Sequence, residues 1–286
     1  MARLPINPVL GREVRVKMRT WRFFAMVSVY LLFLGGLGLM FFATQSYGLR
    51  SGFYDLATVG QGLFAYLAVL QFIFIYFIVP GTTANVISGE RERQTMDLLV
   101  CTQLTPAGIV RGKLTAALST VLLLIVATLP LYGFVFFLGG VAPGQLLKLI
   151  GIFFFTAFVY GSFALCFSAW FRRSISAVIT SYGLALFMLG GTLLVSGMLM
   201  ALFYNRNIQV PFFLLLHLNP MSMFEVIYPE IVSDIISSVS AGAYPYTWQW
   251  LKFWHVTALV NGLLAVGALY LAGRAVNPLA GKRRAG

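Results

Sequence analysis

Charge is what this chain has least of. Lys and Arg together number 20 and Asp and Glu only 8, so 10% of its 286 residues are charged, against about 25% in a soluble domain. That excludes an ordinary soluble fold and leaves no room for a substantial soluble domain beside a membrane one. Cysteine is nearly missing as well. Cys101 and Cys166 are the two present, too few for a disulfide-stapled scaffold, and both fall on a side of the membrane where disulfides are rare. Histidine is limited to His217 and His255. Glu225, Glu230 and Asp234 lie near them in sequence, but no HExxH or comparable ligand spacing connects them, so no metal site is expected. No serine or cysteine nucleophile has a recognisable partner.

What fills the chain is apolar: 59% hydrophobic residues and a mean hydropathy of +0.87. A membrane helix needs about 20 consecutive apolar residues. Six stretches free of Asp, Glu, Lys and Arg qualify, at about 23–43, 62–80, 114–140, 149–170, 176–203 and 253–273. Pro130 should kink the third. Gly35-Gly36 and Gly190-Gly191 permit close helix approach. The reading is an all-α polytopic membrane protein forming a single transmembrane domain over 1–286.

Orientation follows from the basic residues. With the N-terminus inside, the inner segments hold sixteen of them and the outer ones only four, Arg50, Lys148, Arg206 and Lys252. Both termini are therefore expected on the cytoplasmic side of the cell membrane. The net charge of +12 needs no nucleic acid, because this rule and anionic headgroups account for it. Trp21 and Trp170 fall at inner ends of spans, and Trp248, Trp250 and Trp254 at an outer end, where indoles prefer to lie.

Two segments outside the spans carry amphipathic patterns. Residues 1–17 are basic for too long, and lack the small-residue cleavage site, to be a removable signal peptide, and residues 7–22 follow an amphipathic pattern. They read as an interfacial elbow helix, with Val14, Met18 and Trp21 on one face and Arg12, Arg15, Lys17, Arg19 and Arg22 reaching phosphates. Between the fifth and sixth spans, the outer segment 204–252 has Phe224, Ile227, Ile231 and Ile235 on a helical stripe opposite Glu225 and Asp234. Pro229 divides it. Two readings stand for this segment: a lid packed on the bundle, or an outer gate.

The remaining charge is concentrated in residues 87–113, ISGERERQTMDLLVCTQLTPAGIVRGK, which hold three of the eight acidic residues and four of the basic ones. Glu90 with Arg93, and Arg93 with Asp97, are spaced to pair along one helix, while Met96, Leu99 and Val100 form an apolar stripe. Thr105 is a plausible N-cap and Pro106 an N1 proline for a second helix entering the third span. An apolar stripe rimmed by both charges fits a protein partner better than anionic lipid; a solvated loop with incidental ion pairs is the other reading. Gly108 to Leu114 is not a phosphate loop. It has one residue too few between its glycines and Leu where Ser or Thr must meet magnesium.

This segment closely resembles the cytoplasmic signature of ABC-2 type exporter permeases: a Glu-Arg pair, a Thr, an acidic residue with a Leu pair, a Thr-Pro turn and a Gly-Lys entering the third span. NPVLGREVR resembles the elbow opening of the same family, and the resemblance covers essentially the whole chain. Gln94 stands where the family often has Gly. The resemblance implies a permease subunit without catalytic residues or a bound cofactor of its own, with ATP and magnesium held by a separate ABC ATPase. Two ATPases and a second permease subunit, identical or homologous, would complete the complex. Docking would fall to the coupling region, with Glu90, Arg91, Glu92, Arg93, Thr95, Asp97, Leu98, Leu99, Thr105 and Pro106 as its residues. The alternatives are an ion-coupled secondary transporter, disfavoured because the six stretches carry no Asp, Glu, Lys or Arg, and a non-transport assembly protein.

Overall fold

The structure is a computed structural model and describes residues 21–50, 52, 55–94, 106–203, 215–229, 232, 234 and 252–276. It is 89% helical, with no strand among the described residues. In chain order the long helices are α1 (Trp21–Arg50), α2 (Leu56–Thr83), α4 (Pro106–Ala127) continued by α5 (Leu129–Leu138), α6 (Pro143–Trp170), α7 (Ser174–Leu186) continued through a π-turn (Phe187–Gly191) into α8 (Thr192–Phe203), and α9 (Phe253–Val276). A short α3 (Ser88–Glu92) follows α2, and a 3-10 helix covers Pro220–Val226. Six of these helical stretches are long and apolar enough to cross a membrane. The six spans expected from the sequence are therefore present, each helix running beyond its uncharged stretch at one or both ends.

Large side chains such as Leu32, Leu39, Leu194 and Leu263 are 64–76% exposed. In water such a surface would aggregate; in a bilayer it meets hydrocarbon as apolar as itself. The buried faces are instead rich in small and polar residues, including Ala68, Ser162, Ala164, Ser168, Ala265 and Ala268, which let backbones approach closely.

The chain divides into two compact units. One comprises residues 1–79 and 111–157, and its centre is a buried polar cluster. Gln71 on α2 donates through Nε2 to Thr128 Oγ1 at 2.9 Å and accepts from the Tyr132 hydroxyl at 2.8 Å. Thr128 lies at the break between α4 and α5. The kink expected from Pro130 thus occurs two residues ahead of the proline, where Thr128 N–H is shared between the Leu124 and Ile125 carbonyls. At the far end of α5, Gly139 and Gly140 have φ of 84° and 82°, a region open to glycine at no steric cost. A Cβ on Gly60 would run into the Gly139 carbonyl, and one on Gly140 into that of Ala57. Close backbone approach is built at these glycines rather than at Gly36 or Gly190, where an added Cβ meets nothing.

The other unit comprises residues 80–110 and 158–286. Its helix α7 does not run straight into α8. The π-turn, closed by the bond from Thr192 N–H to the Phe187 carbonyl, inserts an extra residue at FMLGG. The 3-10 helix packs against both this turn and α9.

Candidate functional site

The charged segment begins where α2 ends. After Thr83 the chain makes a turn, and the N–H groups of Ile87 and Ser88 leave the helical ladder to donate to Ser168 Oγ on α6, at 2.9 and 3.0 Å. Ser168 is fully buried, so these bonds satisfy backbone donors that have no water to turn to. The next turn, α3, carries Glu90, Arg91 and Glu92 and packs on α7.

Two side chains of α3 hold the connection between α6 and α7. Arg91 donates to the Phe171 carbonyl at 3.5 Å. Glu92 Oε1 accepts the Ser174 N–H and Oε2 the Ser174 hydroxyl, both at 2.8 Å. The N-cap residue of α7 is Arg173, whose side chain makes no capping bond. Glu92 supplies that function from 82 positions away, placing a negative charge at the positive end of the helix. Ser174's hydroxyl, then its N–H, with Arg173 nearby, hold the Glu92 carboxyl below the usual carboxylate range. Glu92 lies well past the roughly 20 residues of α2 that a bilayer requires.

Of the helix expected from Glu90 through Asp97, the described residues show the first turn. α3 ends at Glu92, Arg93 is its C-cap, and Gln94 has φ of 57°. A left-handed residue stops an α-helix, and here a polar non-glycine occupies it. Thr95, Asp97, Leu98, Leu99 and Thr105 lie outside the described residues. Pro106 opens α4 as an N1 proline should. Arg111 and Lys113 follow in α4, and Lys113 is buried.

Of the elbow residues, Arg12, Arg15, Lys17 and Arg19 lie outside the described residues. Trp21 and Arg22 belong to α1, with Trp21 exposed.

In the gate candidate, Phe224 and Ile227 are buried, and Ile231 and Ile235 lie outside the described residues. Where an α-helical stripe was expected to start, the chain forms the 3-10 helix, opened by Asn219 and Pro220. Glu225, assigned above to a polar face, is buried. Its Oε2 accepts the Trp254 N–H at 2.9 Å at the start of α9, a second helix cap given by a distant carboxylate.

His217 is buried too, and its ring stacks on Phe253 with centroids 4.0 Å apart. Its Nδ1 lies 3.1 Å from Thr257 Oγ1, and its carbonyl accepts from Asn261 at 2.8 Å. Burial pushes the imidazole down to about 4. No periodic signal marks this cluster, because His217, Asn219 and Ser222 come from a short irregular segment. No group of three or more His, Cys, Asp or Glu able to hold a metal occurs among the described residues.

The profile of the ABC-2 family transporter proteins matches residues 8–273. The chain belongs to the ABC-2 transporter family. None of the curated proteins compared with it matches. With six membrane-crossing helices and this family, the chain is a multi-pass membrane permease, a transport component of an ABC-type transporter that works with ABC ATPase components.

Proposed function

We propose that this permease is the membrane subunit of an exporter in the cell membrane, with both termini cytoplasmic, driven by ATP hydrolysis on two separate ATPase subunits that hold ATP and magnesium. A second permease subunit, identical or homologous, completes the pathway. The ATPase docks on the coupling region 87–113. The cargo is lipidic, amphipathic or peptide-like, in keeping with spans whose uncharged stretches carry no Asp, Glu, Lys or Arg.

The observation that carries this reading is the position of α3. It concentrates Glu90, Arg91 and Glu92 next to the turn between α6 and α7 and is tied there by Ser168, Arg91 and Glu92. A force applied to α3 by a docked ATPase would reach α2, α6 and α7 together, because all three are bonded to this one short segment. Steric and hydrogen-bond coupling of this kind needs no flexible intermediary.

The test reverses charge without breaking the clamp. Glu90→Lys with Arg93→Glu should abolish copurification of the ATPase, while the permease still inserts and accumulates in the membrane. Undiminished copurification would remove the docking assignment.

A further inference from the structure

We infer that Asn219 is a positioning residue that holds the α7–α8 span in its π-register, and so sets which face of α8 is turned toward the protein. The argument starts from the π-turn. An α-helix closes each turn with a bond to the fourth residue back, whereas the FMLGG turn closes one to the fifth. The extra residue leaves carbonyls that the helix itself no longer pairs, so a π-turn persists where something else rewards it.

Asn219 supplies that partner. Its Nδ2 donates to the Leu189 carbonyl inside the turn at 3.0 Å and to Thr192 Oγ1 immediately after it at 3.2 Å. Thr192 Oγ1 in turn donates to the Met188 carbonyl at 2.9 Å. The other end of the same side chain is committed as well: Oδ1 accepts the Met221 N–H at 2.9 Å and caps the 3-10 helix. Asn219 and Thr192 are both buried, so no water competes for these groups. The 3-10 helix is itself anchored to α9, since Ser222 Oγ lies 3.0 Å from Thr257 Oγ1. One amide therefore ties the irregular turn of one span to a segment fixed on another.

The turn also has the residues a register change requires. Gly191 sits under the Phe187 ring, where an added Cβ would come within 2.7 Å of Cδ2. Gly190 meets nothing. Removal of the extra residue from the turn would leave α7 unchanged and rotate α8 by one residue, about 100° with a 1.5 Å translation. In the π-register, Thr192 and Ser196 face inward and are buried, while Val195 is 36% exposed. In an all-α register, Gly191 and Val195 would take those inward places, and Leu193 would take the lipid-facing place of Leu194.

The cap and the latch can be separated. Asn219→Ser keeps an N-cap oxygen for the 3-10 helix and removes the amide that reaches Leu189 and Thr192. The experiment uses the full chain in lipid vesicles, with Cys101 and Cys166 replaced by Ala and a nitroxide at Val195→Cys or Leu193→Cys. Collisions with molecular oxygen, which concentrates in lipid, are measured for each label. In the parent, the Val195 site should be the more oxygen-accessible of the two. In N219S the order should invert, with the Val195 site falling and the Leu193 site rising severalfold. An unchanged order in N219S would overturn the inference, because a merely capping Asn219 predicts that result. Should N219S fail to accumulate, Asn219→Thr likewise keeps a capping oxygen and lacks the amide that reaches both acceptors; an unchanged order there overturns the inference equally. The readout involves no ATPase, so its outcome is independent of the docking assignment.

Discussion

Glu92 holds Ser174 with both of its carboxylate oxygens, one on the backbone N–H and one on the hydroxyl, each at 2.8 Å. A residue whose sequence context is a run of alternating charges is thus spent inside the chain, on the first turn of α7. The charged segment divides accordingly. Glu92 faces its own fold, and Arg93 and Gln94, both exposed, face away from it.

Loss of that clamp should loosen the start of α7 without unfolding the permease. Glu92→Ala is expected to raise amide exchange severalfold at Ser174 to Ala177, with the centre of α6 unchanged. Glu92→Gln retains an acceptor and should fall between the two. Hydrogen–deuterium exchange of the detergent-solubilised chain checks this; uniform exchange across α7 in E92A would show that the cap contributes nothing there.

Mild acid should destabilise the permease through His217. Its folded-state value is depressed to about 4 by burial, below the usual value near 6.5, so the unfolded chain takes up the proton first. The stabilisation is fully present above about pH 6.5 and is lost progressively as pH falls toward 4. Glu92 adds little between pH 7.5 and 5.0. Its carboxyl is held below the ordinary 4.5, so its share is lost as pH falls below that value. Thermal unfolding midpoints at pH 7.5 and 5.0 should therefore differ in the parent and converge in His217→Asn, which has no titrating group.

Gln71 should matter more than its lone position in an apolar helix implies. Gln71→Ala would leave the buried Tyr132 hydroxyl and Thr128 without their partner and open a cavity. The cost of one unsatisfied buried group is about 1–3 kcal/mol, though interhelical bonds in membranes average only about 0.6 kcal/mol. Adding Tyr132→Phe to Gln71→Ala should recover part of the loss, because the orphaned hydroxyl is gone. Denaturant titration in mixed micelles gives both values; a purely additive pair would show that the two side chains do not interact.

The spans were legible because period and hydropathy are local properties. A run from Leu56 to Thr83 announces a helix whatever surrounds it. Gln71 and Asn261 stand alone in apolar runs with no spacing to name a partner; Gln71 bonds Thr128 and Tyr132, and Asn261 the His217 carbonyl. The capping roles of Glu92 and Glu225 were not legible, because a cap supplied from 82 or 29 positions away leaves no spacing to read. The early end of α3 was hidden for a different reason. Gln is an ordinary helix former, so nothing about Gln94 by itself marks a left-handed residue. The π-turn was partly visible as Gly190-Gly191, but those glycines were read as a packing face, whereas the pair lies inside the turn.

The glycines that do create close approach lie elsewhere, which gives a prediction with an internal control. Gly140→Ala combines two faults: a left-handed φ of 82° and a Cβ driven against the Ala57 carbonyl. Backbone cannot yield as a flexible side chain would, and Gln61 Nε2 donates to the Gly140 carbonyl at 2.9 Å, so a shift of that loop also strains this bond. Gly60→Ala meets the Gly139 carbonyl from the opposite side. Gly133→Ala, within α5 and with nothing near its added Cβ, should be neutral or slightly stabilising, because alanine loses less backbone entropy in a helix. G140A and G60A should each lower the thermal unfolding midpoint and the yield of monodisperse permease, and G133A should lower neither. Equal behaviour of all three would mean that the α5–α6 turn does not pack on the start of α2 as closely as the backbone positions require.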